Sequence, residues 1–151
     1  MTAKEFLEQA YKLDQRINSK MMQIEALRSL ATKCTAVIRE DPVHGGNNGH
    51  RIEDTIIRIV EKERELDAEI DRLVDLKKEI AEVIGQVADR DYQVLLEYRY
   101  LCFKKWSEIA ELMCYSPNYI FKVRDRALQA VEEILQGNSE LWDGGDGRQD
   151  G

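Results

Sequence analysis

Asn118, Lys122, Asp125 and Gln129 recur at steps of four, three and four. At about 100° per residue that spacing puts them on one side of a helix. Ile120, Val123, Ala127, Val131 and Ile134 then fall on the opposite side. The polar set has the chemistry for reading base edges. An Asn amide pairs with adenine, a Lys ammonium donates to guanine, and an aromatic flank such as Phe121 can cover a thymine methyl. Tyr119 and Arg126 lie on the other flank, and Lys104, Lys105 and Arg126 are cations suited to phosphate oxygens. Chemistry of other kinds has no such set. With no phosphate loop and no nucleophile–base arrangement, the chain is expected to be no enzyme and to need no cofactor. His44 and His50 sit in "DPVHGGNNGHR", whose Gly and Asn residues supply flexibility instead of ligand geometry, so no metal site is expected.

The elements that must position this face can be read around it. Ser116 caps a helix expected over 117–135, and Pro117 fits its first turn. Before it, "WSEIAELM" predicts a helix over 106–113, with Ala110 small where a second helix crosses closely and Cys114-Tyr115-Ser116 as the turn. Asp89 caps a further helix over 89–102. Together these give a three-helix unit of helix-turn-helix type over 89–136. Two local costs are expected. Cys114 stands where many such turns have Gly for a left-handed backbone, and Lys105 stands where a Ser or Thr cap would help. Gly137 is expected to stop the last helix, leaving 137–151 as a disordered acidic tail with Trp142 its only large apolar residue.

The first 88 residues carry a different pattern. Thr2 and Glu5 have capping-box spacing. Phe6, Ala10, Leu13, Ile17, Lys20, Ile24, Leu27, Ala31, Cys34 and Ile38 then step by four and three, broken only by Lys20. Pro42 ends this helix. After the loop 41–51 the stepping resumes through Ile52, Ile56, Ile59, Glu63, Leu66, Ile70, Leu73, Lys77, Ile80, Ile84 and Val87. A strict 3-4 stripe is the pattern of helices packed lengthwise, and each would run for about 50 Å. The expected fold is all-α: a long antiparallel, coiled-coil-like hairpin over 1–88, then the helix-turn-helix unit. Two helices alone bury one stripe each, so the hairpin is expected to bind a partner, most simply a second copy in a homodimer.

Composition limits the partners. The chain has 151 residues and a net charge of −7, which argues against nonspecific polyanion binding. Between 99 and 126, however, six basic side chains face three acidic ones, a local +3. No apolar run approaches the roughly 20 residues of a membrane span. The start "MTAKEFLEQA" predicts no signal peptide, and three cysteines at unrelated spacings predict no disulfide framework, so a reducing cytoplasm is expected.

The stretch "LLEYRYLCFKKWSEIAELMCYSPNYIFKVRDRAL" resembles region 4 of sigma-70-type transcription factors. Over roughly 1–136, including "TAKEFLEQAYKLDQRI" and "EIDRLVDLKKEI", the chain is similar to small phage and prophage proteins akin to phage late-gene transcription activators. The resemblance implies base reading by Pro117, Asn118, Tyr119, Phe121 and Lys122. Sigma factors carry more charge on this face, so Pro117 and Phe121 put the −35 sequence itself in doubt as the target. A sequence-specific DNA-binding transcription regulator in a bacterial host cell is the expectation, with double-stranded DNA and host RNA polymerase as partners. Two alternatives remain: a DNA-packaging protein like a terminase small subunit, told apart by ring assembly, and a sigma region 4 mimic that binds polymerase without reading DNA.

Overall fold

The computed structural model describes the backbone of residues 1–40 and 45–146 and the side chains of residues 1–36 and 50–138. The described chain is all-helical, with five helices: α1 (Ala3–Glu40), α2 (Gly45–Gly85), α3 (Arg90–Tyr100), α4 (Trp106–Met113) and α5 (Tyr119–Asp146). It divides into two compact units. Residues 13–73 make one; residues 1–12 join the chain from Val74 onward in the other.

In the 13–73 unit, α1 and α2 are cross-linked in opposite sequence order. Arg16 meets Glu69 at 3.3 Å, Lys20 meets Glu65 and Glu69 at 3.2 Å each, and Arg28 pairs with Glu63. These stretches are therefore antiparallel. Lys20 and Glu63, which interrupt the two apolar stripes, are thus partnered. Burial pushes the Lys20 ammonium down, but hydrogen bonds from it to Glu65 and Glu69 outweigh that and leave it above its ordinary value. The same Lys20 bond holds the Glu65 carboxyl below its ordinary range.

The α1 stripe is buried or half-buried at every described position. The α2 stripe is not. Ile56 and Ile70 are exposed together with Val60, while Ile59, Leu66 and Leu73 are half-buried. The packed face of α2 is rotated from the centre of its stripe, and one apolar edge stays in solvent.

In the other unit, the capping box at the start of α1 is formed. Thr2 N–H donates to Glu5 Oε2 at 3.0 Å, and Glu5 N–H donates to Thr2 Oγ1 at 3.2 Å. Ala3 N–H donates to Glu132 Oε2 at 2.7 Å, setting a carboxylate of α5 on the positive end of α1. Leu7, Ala10, Ile80 and Ile84 are buried in this unit, as are Leu95, Leu96, Ile109, Ile120 and Val131 of the three shorter helices. The ends of the long helices thus share a compact unit with α3–α5, where the sequence alone suggested a boundary at 88. Lys77, the third polar interruption, lies over the Phe103 ring at 4.7 Å, and Tyr11 meets that ring edge-on at 5.7 Å. Phe103 takes this position with φ at 57°, a left-handed conformation unusual for a bulky side chain.

Three expectations about helix ends are corrected, among them the start of α5, which lies at Tyr119 and not at 117. α2 begins at Gly45, so residues 45–51, expected in the loop, are helical. α5 does not stop at Gly137 but continues to Asp146, so residues 138–146 are helical and not part of a disordered tail. Gly137 adopts no positive φ, so the left-handed exit that would end the helix is not made. Glycine inside a helix costs about 1 kcal/mol, which does not terminate one by itself. Residues 147–151, the Trp142 side chain and His44 lie outside the described residues. No described helix is long and apolar enough to cross a membrane.

Candidate nucleic-acid interface

The face singled out in the sequence is built from the turn upward. α4 ends at Cys114, whose φ of 58° and ψ of 38° are left-handed. Its N–H donates back to Ala110 and Glu111 carbonyls, and Tyr115 N–H donates to Ala110 O at 2.9 Å. This closure satisfies the last carbonyls of α4 at the expense of strain that a glycine would avoid. Ser116 then starts the next helix: its Oγ accepts from Tyr119 N–H at 3.1 Å, and its carbonyl accepts from Ile120 N–H at 3.2 Å. Pro117 and Asn118 form the turn that leads into α5 at Tyr119, two residues later than the expected start at 117.

α5 is seated by its apolar side. Ile120, Val123, Ala127 and Val131 are buried, opposite Ile109 and Ala110 of α4 and Leu95 and Leu96 of α3 in the same core. The five positions expected to read bases are all exposed: Pro117, Asn118, Tyr119, Phe121 and Lys122. At about 100° per residue Asn118 and Lys122 point away from the core, while Phe121 and Tyr119 stand on its two flanks. Tyr119 meets Tyr115 edge-on at 5.2 Å, and Phe121 lies under the Arg124 guanidinium at 5.0 Å. Both rings stay 42% exposed, so neither is consumed by the core. Burial pushes the Tyr115 phenol above its ordinary value, with nearby Asp91 adding to the effect.

The three expected phosphate contacts divide. Lys104 and Lys105 are exposed in the segment before α4, and Lys105 caps that helix with no side-chain hydrogen bond. Arg126 is exposed on the flank of α5 that also bears Tyr119. Two further cations, counted in the local +3 but given no role from the sequence, are held against a ring. Arg99 donates through Nη1 to the Lys104 carbonyl at 3.0 Å, and its guanidinium lies 5.1 Å from the Trp106 ring. Arg124 is 5.9 Å from the same ring and pairs with Asp125. Among the described residues no group of three or more His, Cys, Asp or Glu side chains is placed to hold a metal ion. Among the described residues His50 faces Glu53 at 4.0 Å. No protein-family model, curated protein or solved structure matches the chain.

Proposed function

We propose that this protein is a sequence-specific DNA-binding transcription regulator of phage or prophage type, which enters the major groove with the start of α5. The observation that carries the reading is the division of one short segment. Ser116 caps it, Ile120, Val123 and Ala127 hold it to the core, Asn118 and Lys122 stand exposed on the opposite side, and Pro117, Tyr119 and Phe121 are exposed beside them. An α-helix about 10–12 Å across fits a groove about 12 Å wide, and Asn and Lys are side chains that discriminate bases there. α4 and α5 are then the two helices of a helix-turn-helix.

The paired stretches of α1 and α2 act as a hairpin that self-associates. Ile56, Val60 and Ile70 form an exposed apolar edge in helical register on α2, which a second copy would cover in a homodimer. A dimer also doubles the readout, one half-site per copy.

Selection from a random duplex library with the purified full chain tests the reading. A recurrent motif recovered at physiological salt is the expected result; a pool without sequence preference would overturn it. A second reading, polymerase binding without base readout, draws support from the exposure of Tyr119 and Phe121, because aromatic residues also serve protein interfaces.

A further inference from the structure

Along one flank of α5 runs a row of alternating rings and guanidinium groups: Phe121, Arg124, Trp106, Arg99. Arg124 lies 5.0 Å from Phe121 and 5.9 Å from Trp106; Arg99 lies 5.1 Å from Trp106. Tyr100 supports Trp106 edge-on at 6.4 Å. Arg124, Trp106 and Arg99 line a cavity of about 280 Å³ whose wall also includes Lys4, Glu8 and Asp125.

We propose that Arg99 and Arg124, stacked with Trp106, form a clamp for a DNA backbone phosphate, an inference that rests on the DNA-binding reading above. The donors are available. Arg124 directs Nε and Nη2 to Asp125 Oδ1, each at 3.0 Å, and Arg99 directs Nη1 to the Lys104 carbonyl. A guanidinium has five N–H donors, so each keeps donors for a ligand. Stacking on a ring fixes the plane of the fork and removes much of the entropy cost of ordering it, which a lysine could not match. In the cavity wall Lys4 pairs with Glu8 at 4.0 Å and Arg124 with Asp125 at 3.0 Å, so the excess positive charge there is that of Arg99.

Position selects the phosphate over other anions. A helix that fills the major groove has a phosphate backbone along each of its flanks. At about 100° per residue, Arg124 and Arg126 emerge on opposite flanks of α5. If Arg126 meets one wall of the groove, Arg124 faces the other, and Arg99 ties that wall to the Lys104–Lys105 segment through its bond to Lys104.

The test is the salt dependence of binding, measured with the full chain on a duplex recovered by the library selection. Each phosphate neutralised contributes about 0.9 to the slope of log affinity against log salt. Arg99→Gln and Arg124→Gln should each flatten the slope by about that amount, and the double variant by about twice it. Arg72→Gln, an exposed cation of α2, should leave the slope unchanged. Arg124→Lys keeps the charge and should keep the slope while weakening binding, which covers the case in which Arg124→Gln fails to fold. Folded Arg99→Gln and Arg124→Gln variants with the wild-type slope and intact sequence preference would overturn the clamp alone. Loss of polymerase binding with an unchanged DNA slope would also overturn it and assign the patch to a protein partner. A wild type with no salt-dependent duplex binding would overturn both the clamp and the reading beneath it.

Discussion

Ser116 and Tyr119 are joined by the hydrogen bond that starts α5: Tyr119 N–H donates to Ser116 Oγ at 3.1 Å. The bond spans the Pro117–Asn118 turn and sets the start of α5 at Tyr119, immediately after Asn118. Ser116→Ala should cost about 1 kcal/mol of stability, the typical worth of such a cap. It should also weaken DNA binding by more than the melting change explains, because the first turn frays where the bases would be read. Denaturant unfolding and affinity on the same duplex check both parts. Val123→Ala, one turn further and buried, should instead lower stability by about 2 kcal/mol through the cavity it leaves.

Ile24 and Ile70 occupy equivalent places in the two apolar stripes yet differ in burial: Ile24 is 4% exposed and Ile70 39%. Ile24→Asp should therefore unfold the 13–73 unit, seen as loss of helical circular dichroism. Ile70→Asp should leave the helix content intact and shift the mass in light scattering from dimer to monomer. A monomeric wild type at micromolar concentration would remove the self-association claim, and a ring of several copies would favour the DNA-packaging alternative.

Gly137 lies inside α5, and a methyl group added there would have no neighbour within 4 Å. Gly137→Ala should raise stability by about 0.5–1 kcal/mol, since Ala loses less backbone entropy in a helix. An unchanged or lowered melting temperature would mean that the chain leaves the helix at Gly137 after all.

Short-range chemistry was legible in the sequence. The Thr2–Glu5 box, the Asp89 and Ser116 caps, the left-handed Cys114 and the uncapped Lys105 each depend on residues within about five positions, and each is present. What was hidden depends on distant partners or on competition between close alternatives. The stripe on α2 has apolar residues over a wide arc, so periodicity could not decide that Ile59 and Leu66 pack while Ile56 and Ile70 stay exposed. Composition after Gly137 is polar, yet α5 continues through Gly137 as far as Asp146. Arg124 reaches Trp106, eighteen residues earlier, only through the crossing of α4 and α5, and no local pattern announces that.

The most direct test of base reading by α5 is the preference of Asn118→Ala and Lys122→Ala, each compared with wild type on the selected duplex and on a set of single-base-pair variants. Both side chains are exposed on the face opposite Ile120 and Val123. Each substitution should cost about 1–3 kcal/mol of binding and relax discrimination at its own base pair, leaving preference elsewhere intact. Arg126→Ala, by contrast, should weaken all duplexes alike and flatten the salt slope by about 0.9. If Asn118→Ala and Lys122→Ala both keep the wild-type affinity and preference, α5 does not read bases.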